Sequence, residues 1–254
     1  LYIAYFASGI DASEGQGHVL TVATSLSLNQ PFQPLENRMA GGKEQGFQHI
    51  DPMFFRDPAS GKPYLLWGSA GYPLLMQELA PDLVQFAKGS VRREIFQPLR
   101  ELGPGVVEAA WILHDRYAPR DQRYQLYFSF GDCFGAADEY KLGVATARDL
   151  AGPFCFQGLA LENTAKWTNA GHHGFVTDEQ GQVIRDTNDQ MMALVHAIPT
   201  EEVKKHAHSF MPRPVLAVPF VRERRPFGQL GLHKGHLSEE VAVSPEWFAG
   251  SMGK

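Results

Sequence analysis

The chain has 254 residues, 44% of them hydrophobic and 20% charged, with a formal net charge of -5. That length suits one large all-β domain or two ordinary domains, and the composition argues for a packed core against disorder. Charges of both signs are scattered with no basic block to follow a phosphate backbone, and the apolar runs are too short for a membrane helix; neither nucleic acid nor a membrane is expected as a partner.

In chain order the elements read as strands. The first is Leu1 to Ser8, apolar and aromatic from the first residue, with no starting Met. We read the chain as cut upstream, so the lack of a signal peptide carries no information. Val22-Ala23-Thr24-Ser25 followed by Pro31-Phe32 recurs as Val144-Ala145-Thr146-Ala147 followed by Pro153-Phe154, with the same internal gap. Aromatic strands Tyr2 to Ser8, Tyr64 to Ser69 and Tyr124 to Ser129 are centred on Tyr5, Leu66 and Tyr127, in even steps of 61 residues. A fixed period of this size predicts an all-β fold of propeller blades carrying long loops. Met191 to Ile198 and Val215 to Val221 are assigned to a fourth and a fifth blade. Residues 223–238 read as a long loop, and with no linker in view residues 1–254 read as a single domain. A β-sandwich is the competing reading of the same strands.

Each aromatic strand is preceded by a candidate inner strand, the strand that lines a propeller's central channel. These are Ile50 to Phe55, Val106 to Trp111 and Gly171 to Val176. Two carry an acid inside an apolar run: Asp51 and Glu108. An ionised carboxylate in such a place is costly unless paired or used, which marks both as candidate site residues. Cys133 and Cys155 read as buried thiols or as one disulfide, and do not fix the compartment.

The ordered set of motifs is similar to glycoside hydrolase family 43. It runs from His49-Ile50-Asp51-Pro52 through Gly105-Val106-Val107-Glu108-Ala109-Ala110-Trp111 and Gly171-His172-His173-Gly174 to Val195-His196-Ala197. His173 and Gly174 stand where the family has Asn and Ser. The resemblance covers roughly residues 1–222 and leans towards the arabinanase branch. It implies a five-bladed β-propeller that hydrolyses arabinose- or xylose-containing carbohydrate with inversion. Glu108 would be the general acid, and Asp51 the neighbour that raises its pKa. An Asp base on the inner strand of the first blade would activate water, about 6.5–9.5 Å from the acid. The two acids precede their aromatic strands by 16 to 20 residues, so this base is expected upstream of residue 1, in a first blade lacking its N-terminal strand. Asp11 does not substitute.

The resemblance also implies substrate contacts from His172 and Arg213 and no required cofactor; Trp111 and Phe55 are expected to stack on sugar faces because apolar C–H faces suit aromatic rings. A structural Ca2+ or Na+ ion in the channel would sit near His172, directly or through water. His173 is expected to be structural or pocket-lining, His196 a satisfied core histidine, and His206 with His208 a surface pair. The carbohydrate would be the partner of a secreted monomer, and loops 34–48 and 156–170 would shape its cleft. Arg56-Asp57-Pro58 echoes the related invertase and fructanase family, whose upstream Asn-Asp-Pro-Asn motif is the discriminator; here the Asp57 segment reads as a hairpin turn. A fructan or sucrose hydrolase, and a propeller that only binds carbohydrate, are the alternatives.

Overall fold

A computed structural model describes residues 1–9, 18–36, 39–41, 49–68, 73–96, 102, 106–133, 139–178, 181–205, 213–224 and 230–237. Asp11, His206 and His208 lie outside them, as do residues 42–48 of the first expected cleft loop.

Among the described residues the fold is all-β, apart from the short helix α1 (Thr200–Lys205) and 3-10 turns such as Arg120–Gln122, and the strands form four antiparallel meanders. The first comprises β1 (Tyr2–Ser8), β2 (Val19–Ser25) and β3 (Gln33–Pro34). The second comprises β4 (Met53–Arg56), β5 (Pro63–Trp67), β6 (Leu74–Glu78) and β7 (Arg93–Phe96). The third comprises β8 (Val106–His114), β9 (Tyr124–Gly131), β10 (Lys141–Ala147) and β11 (Cys155–Leu161). The fourth comprises β12 (Trp167–Phe175), β13 (Met191–Pro199), β14 (Val215–Arg224) and β15 (Leu230–Gly235). One parallel pairing, Leu161 with Gly235, joins the third and fourth meanders into an eight-stranded sheet.

Strand alternation explains how the meanders stack. In β9 the side chains of Tyr124, Leu126, Phe128 and Phe130 point one way, into a core shared with Met53, Phe55 and Leu66 of the second meander. Tyr127 points the other way, into a core shared with Phe175, Val195 and Phe220 of the fourth. In β5 the rule repeats: Leu66 faces the third meander, while Leu65 and Trp67 join Leu20 and Tyr5 of the first. A strand covered on both faces must be apolar throughout rather than half polar, which is why these aromatic runs stood out in the sequence. The polar residues they carry are partnered: Tyr127 donates to Gln125 Oε1 at 3.1 Å.

The even step of 61 residues falls on strands of three successive meanders: β5 and β9 are each the second strand of theirs, whereas β1 is an edge strand of its own. Three expectations need correction. Val215 to Val221 is not in a fifth blade: it lies in β14, which pairs with β13 from Met191↔Phe220 to His196↔Val215 within one meander. The expected loop 223–238 contains β15, paired with β14. Its signal was masked because its fully buried His233 is held by polar partners, not by an apolar pattern. Likewise the stretch 156–170 is mostly β11 and the start of β12. Asp57 forms the hairpin turn between β4 and β5. Its carboxylate accepts the Ala59 and Ser60 amides, the Ser60 hydroxyl and, from the third meander, the Tyr124 hydroxyl at 2.8 Å. Cys133 is half-buried and Cys155 exposed, both as free thiols.

Arg222 of β14 ties the fourth meander to the third. Its Nη1 lies 2.7 Å from Asp115 Oδ2, next to the end of β8, and its Nε contacts Asp189. Asp115 is 2% exposed. Removing the cation strands a buried carboxylate, so Arg222→Ala should lower unfolding free energy by about 3–5 kcal/mol. Urea denaturation checks this, and Asp115→Asn in the same background should recover part of the loss.

Candidate active site

The site forms where the second, third and fourth meanders present their inner strands. Four non-glycine residues there have left-handed backbone: Asp51 (φ 52°), Ala109 (φ 51°), Asn169 (φ 52°) and His172 (φ 47°). Each costs of order 1–3 kcal/mol and persists only where its surroundings impose it. Three of them sit at breaks in strand register. The β8–β9 ladder slips between Glu108 and Trp111, and the β12–β13 ladder slips on either side of Gly171. Such bulges bend a strand and re-aim a side chain, here towards a common point.

The backbone amides at that point donate between meanders. The Ala109 amide donates to Asp51 Oδ2 at 3.1 Å, fixing the carboxylate just ahead of β4 against the bulge of β8. The His172 amide donates to Ser129 Oγ at 2.7 Å. Asn169 Oδ1 accepts the Glu139 and Tyr140 amides at 3.0 and 3.2 Å. Tyr140 in turn donates its phenolic proton to Glu108 Oε1 at 2.6 Å.

Asp51, Glu108 and His172 converge, with one ligand-type atom from each lying within 4.8 Å of the others. His172 Nε2 is 4.0 Å from Asp51 Oδ1, and its ring meets His196 edge-on at 5.8 Å. Glu108 is only 8% exposed. Burial raises its pKa above the usual carboxylate range, the Tyr140 hydrogen bond opposes that, and the Asp51 charge adds to it. Burial also raises Asp51, against the pull of His172 and of the Ala109 amide. The cluster can therefore keep one carboxyl neutral beside another and offer its proton. It is a poor calcium cage, because three atoms, one of them nitrogen, fall short of the six to eight oxygens that calcium collects.

The other expected residues divide. Arg213 joins the site: its charge acts on Glu108, its guanidinium lies 5.8 Å from the Tyr140 ring centre, and its carbonyl contacts His196 Nδ1 at 3.2 Å. Trp111 is half-buried, with its ring over Gly174 and its edge against Phe175. Phe55 does not reach the site. It is 3% exposed, in the core between the second and third meanders, because β4 alternation turns it inward and leaves Phe54 to stack on Tyr5. His173 is 6% exposed, between Trp111, Tyr127 and Phe175, and neither ring nitrogen has a hydrogen-bond partner.

Tyr140, Ser129, Asn169 and Gly171 were missed by sequence reasoning. For the last two a signal existed: Asn-Ala-Gly inside an apolar strand marks backbone that leaves the strand conformation.

Burial pushes the pKa of His173 down to about 3 from 6.5. The unfolded chain then binds a proton that the folded chain refuses, so stability falls with pH between those values, by about 1.4 kcal/mol per unit. His173→Phe should flatten that slope in unfolding measurements from pH 7 to pH 4.

Comparison with known proteins agrees in one direction. The sequence profile described as glycosyl hydrolases family 43 matches residues 1–185. The chain is 28% identical over 116 residues to a probable arabinan endo-1,5-alpha-L-arabinosidase D of Emericella nidulans, a match that spans 41% of this chain and 28% of that protein. Its fold is similar to that of the Cellvibrio cellulosa alpha-L-arabinanase (TM-score 0.64, 17% identity, 91% of this chain and 72% of that one). It is similar also to the Bacillus licheniformis endo-arabinanase (TM-score 0.65, 16% identity, 91% and 72%).

Proposed function

Because the chain belongs to glycosyl hydrolases family 43, we propose that it takes part in inverting hydrolysis of arabinose- or xylose-containing oligo- or polysaccharide, with Glu108 as general acid. The observation that carries this is the buried, raised-pKa carboxyl of Glu108 beside a second carboxylate, Asp51. The face-to-face meanders are read as blades of a five-bladed propeller. Arabinose-based substrate is favoured by the sequence relative, which is named as an arabinanase.

In this reading Glu108 enters the reaction neutral. It gives its proton to the glycosidic oxygen as the bond to the anomeric carbon breaks, so the sugar leaves as an alcohol and not an alkoxide. Water adds to the opposite face of the ring as the oxocarbenium-like charge develops. The carboxylate that activates this water is assigned to no described residue. Asp51 raises the pKa of Glu108 and, held by the Ala109 amide, keeps its own position while doing so. His172 and Arg213 stand beside the two carboxyls and are read as sugar contacts. The proton transfer needs no cofactor.

Glu108→Gln should abolish hydrolysis of linear arabinan, aryl α-L-arabinofuranoside and xylobiose while leaving oligosaccharide binding intact. Unchanged turnover in Glu108→Gln defeats the reading; no turnover by the parent chain, with sugar binding that Asp51→Ala weakens, is the outcome expected if the base is missing. Catalysis requires protonated Glu108, so activity should fall as pH rises through its raised pKa. Asp51→Asn removes a charge that raises that pKa and should move this alkaline limb to lower pH, read from kcat/KM against pH.

A further inference from the structure

Glu108 has two oxygens, and a general acid must present the right one. Oε1 is already engaged: the Tyr140 hydroxyl donates to it at 2.6 Å, deep in the protein where Tyr140 is 1% exposed. The His172 amide donates to Ser129 Oγ, which lies beside the Tyr140 ring over Gly171. Burial holds the phenol fully protonated, which keeps it a donor.

The surrounding residues fix the phenol in place. Asn169 Oδ1 clasps the amides of Glu139 and Tyr140. Gly171 leaves room for the ring: a Cβ there would lie 2.3 Å from Tyr140 Cε1 and 3.1 Å from Ser129 Oγ. Arg213 lies over the ring. Together they hold one hydroxyl against one carboxyl oxygen.

We propose that Tyr140 is a positioning residue for the acid: by occupying Oε1 it confines the transferable proton of Glu108 to Oε2, and it stabilises the carboxylate left behind. The proposal rests on the reading of Glu108 as general acid. As the glycosidic C–O bond breaks, the Oε2 proton moves to the departing oxygen and the C–O electron pair stays on that oxygen. The negative charge appears on Glu108, and the Tyr140 proton remains on its own oxygen. A hydrogen bond to a carboxylate is stronger than one to a neutral carboxyl, so Tyr140 helps the transition state more than the ground state.

The test compares the parent chain, Tyr140→Phe, Gly171→Ala and Glu108→Gln on aryl α-L-arabinofuranosides and β-D-xylosides with leaving groups of graded acidity. A dinitrophenolate leaves without a proton; an alkyl or sugar alkoxide does not. Tyr140→Phe should lower kcat about 10- to 100-fold on poor leaving groups, with KM held within about twofold. On dinitrophenyl substrates the loss should nearly vanish. Gly171→Ala should show the same pattern by displacing the ring. An equal loss on every leaving group, or none, overturns the proposal, since a merely structural role does not read leaving-group acidity. Glu108→Gln separates the two ideas: if it fails to show the same leaving-group pattern at greater depth, the acid assignment itself is wrong. Thermal melting of Tyr140→Phe close to that of the parent excludes misfolding as the cause.

Discussion

Hydrogen bonds donated by backbone amides across the meander boundaries hold the site together. Ala109 reaches back to Asp51, His172 to Ser129, and Glu139 with Tyr140 forward to Asn169. In a regular strand those amides would point along the sheet and pair with the neighbouring strand. The left-handed residues and the register slips of β8 and β12 free them to turn across the gap. The backbone distortion and the site are thus one feature: regular ladders would leave the meanders packed only by apolar contact, and no two carboxyl groups would be held in a defined relation.

The apolar contacts supply position and the polar ones direction. Residues such as Leu126, Phe128 and Tyr127 set neighbouring meanders face to face, because alternate side chains of one strand serve two cores. This arrangement determines how far apart the inner strands lie, though not where a carboxylate oxygen points. That is settled by Tyr140 on Glu108 and by Ala109 on Asp51, groups buried enough for each bond to be made in a low dielectric.

Much of the strand framework was legible in the sequence for a physical reason. Strands covered on both faces are continuously apolar, and repeated meanders place such strands again and again along the chain, so Tyr5, Leu66 and Tyr127 announced themselves. The acids were legible because a lone Asp or Glu inside such a run has no cheap structural explanation. What escaped was whatever depends on partners distant in sequence. His233 hides a strand because its neighbours, not its side chain, make it suitable for burial. Val215 to Val221 was placed in the wrong meander because strand spacing does not say which strands pair. Phe55 looked like a sugar platform because an aromatic near an acid fits a pocket as well as a core; only the direction of alternation along β4 decides. Tyr140 was invisible because nothing in Glu-Tyr-Lys distinguishes a phenol that reaches Glu108 from one that packs.

The order of the parts along the chain has a consequence for biosynthesis. Asp51, Glu108, Ser129 and Tyr140 all precede β12, while Asn169, Gly171 and His172 belong to it. A growing polypeptide can close its earlier meanders on short local hairpins as they emerge. The clasp of the phenol by Asn169 and the space that Gly171 leaves for its ring arrive only with the later strand. Assembly of the acid in its working geometry is therefore a late event in vectorial folding, tied to docking of the fourth meander and not to formation of the strand that carries the acid.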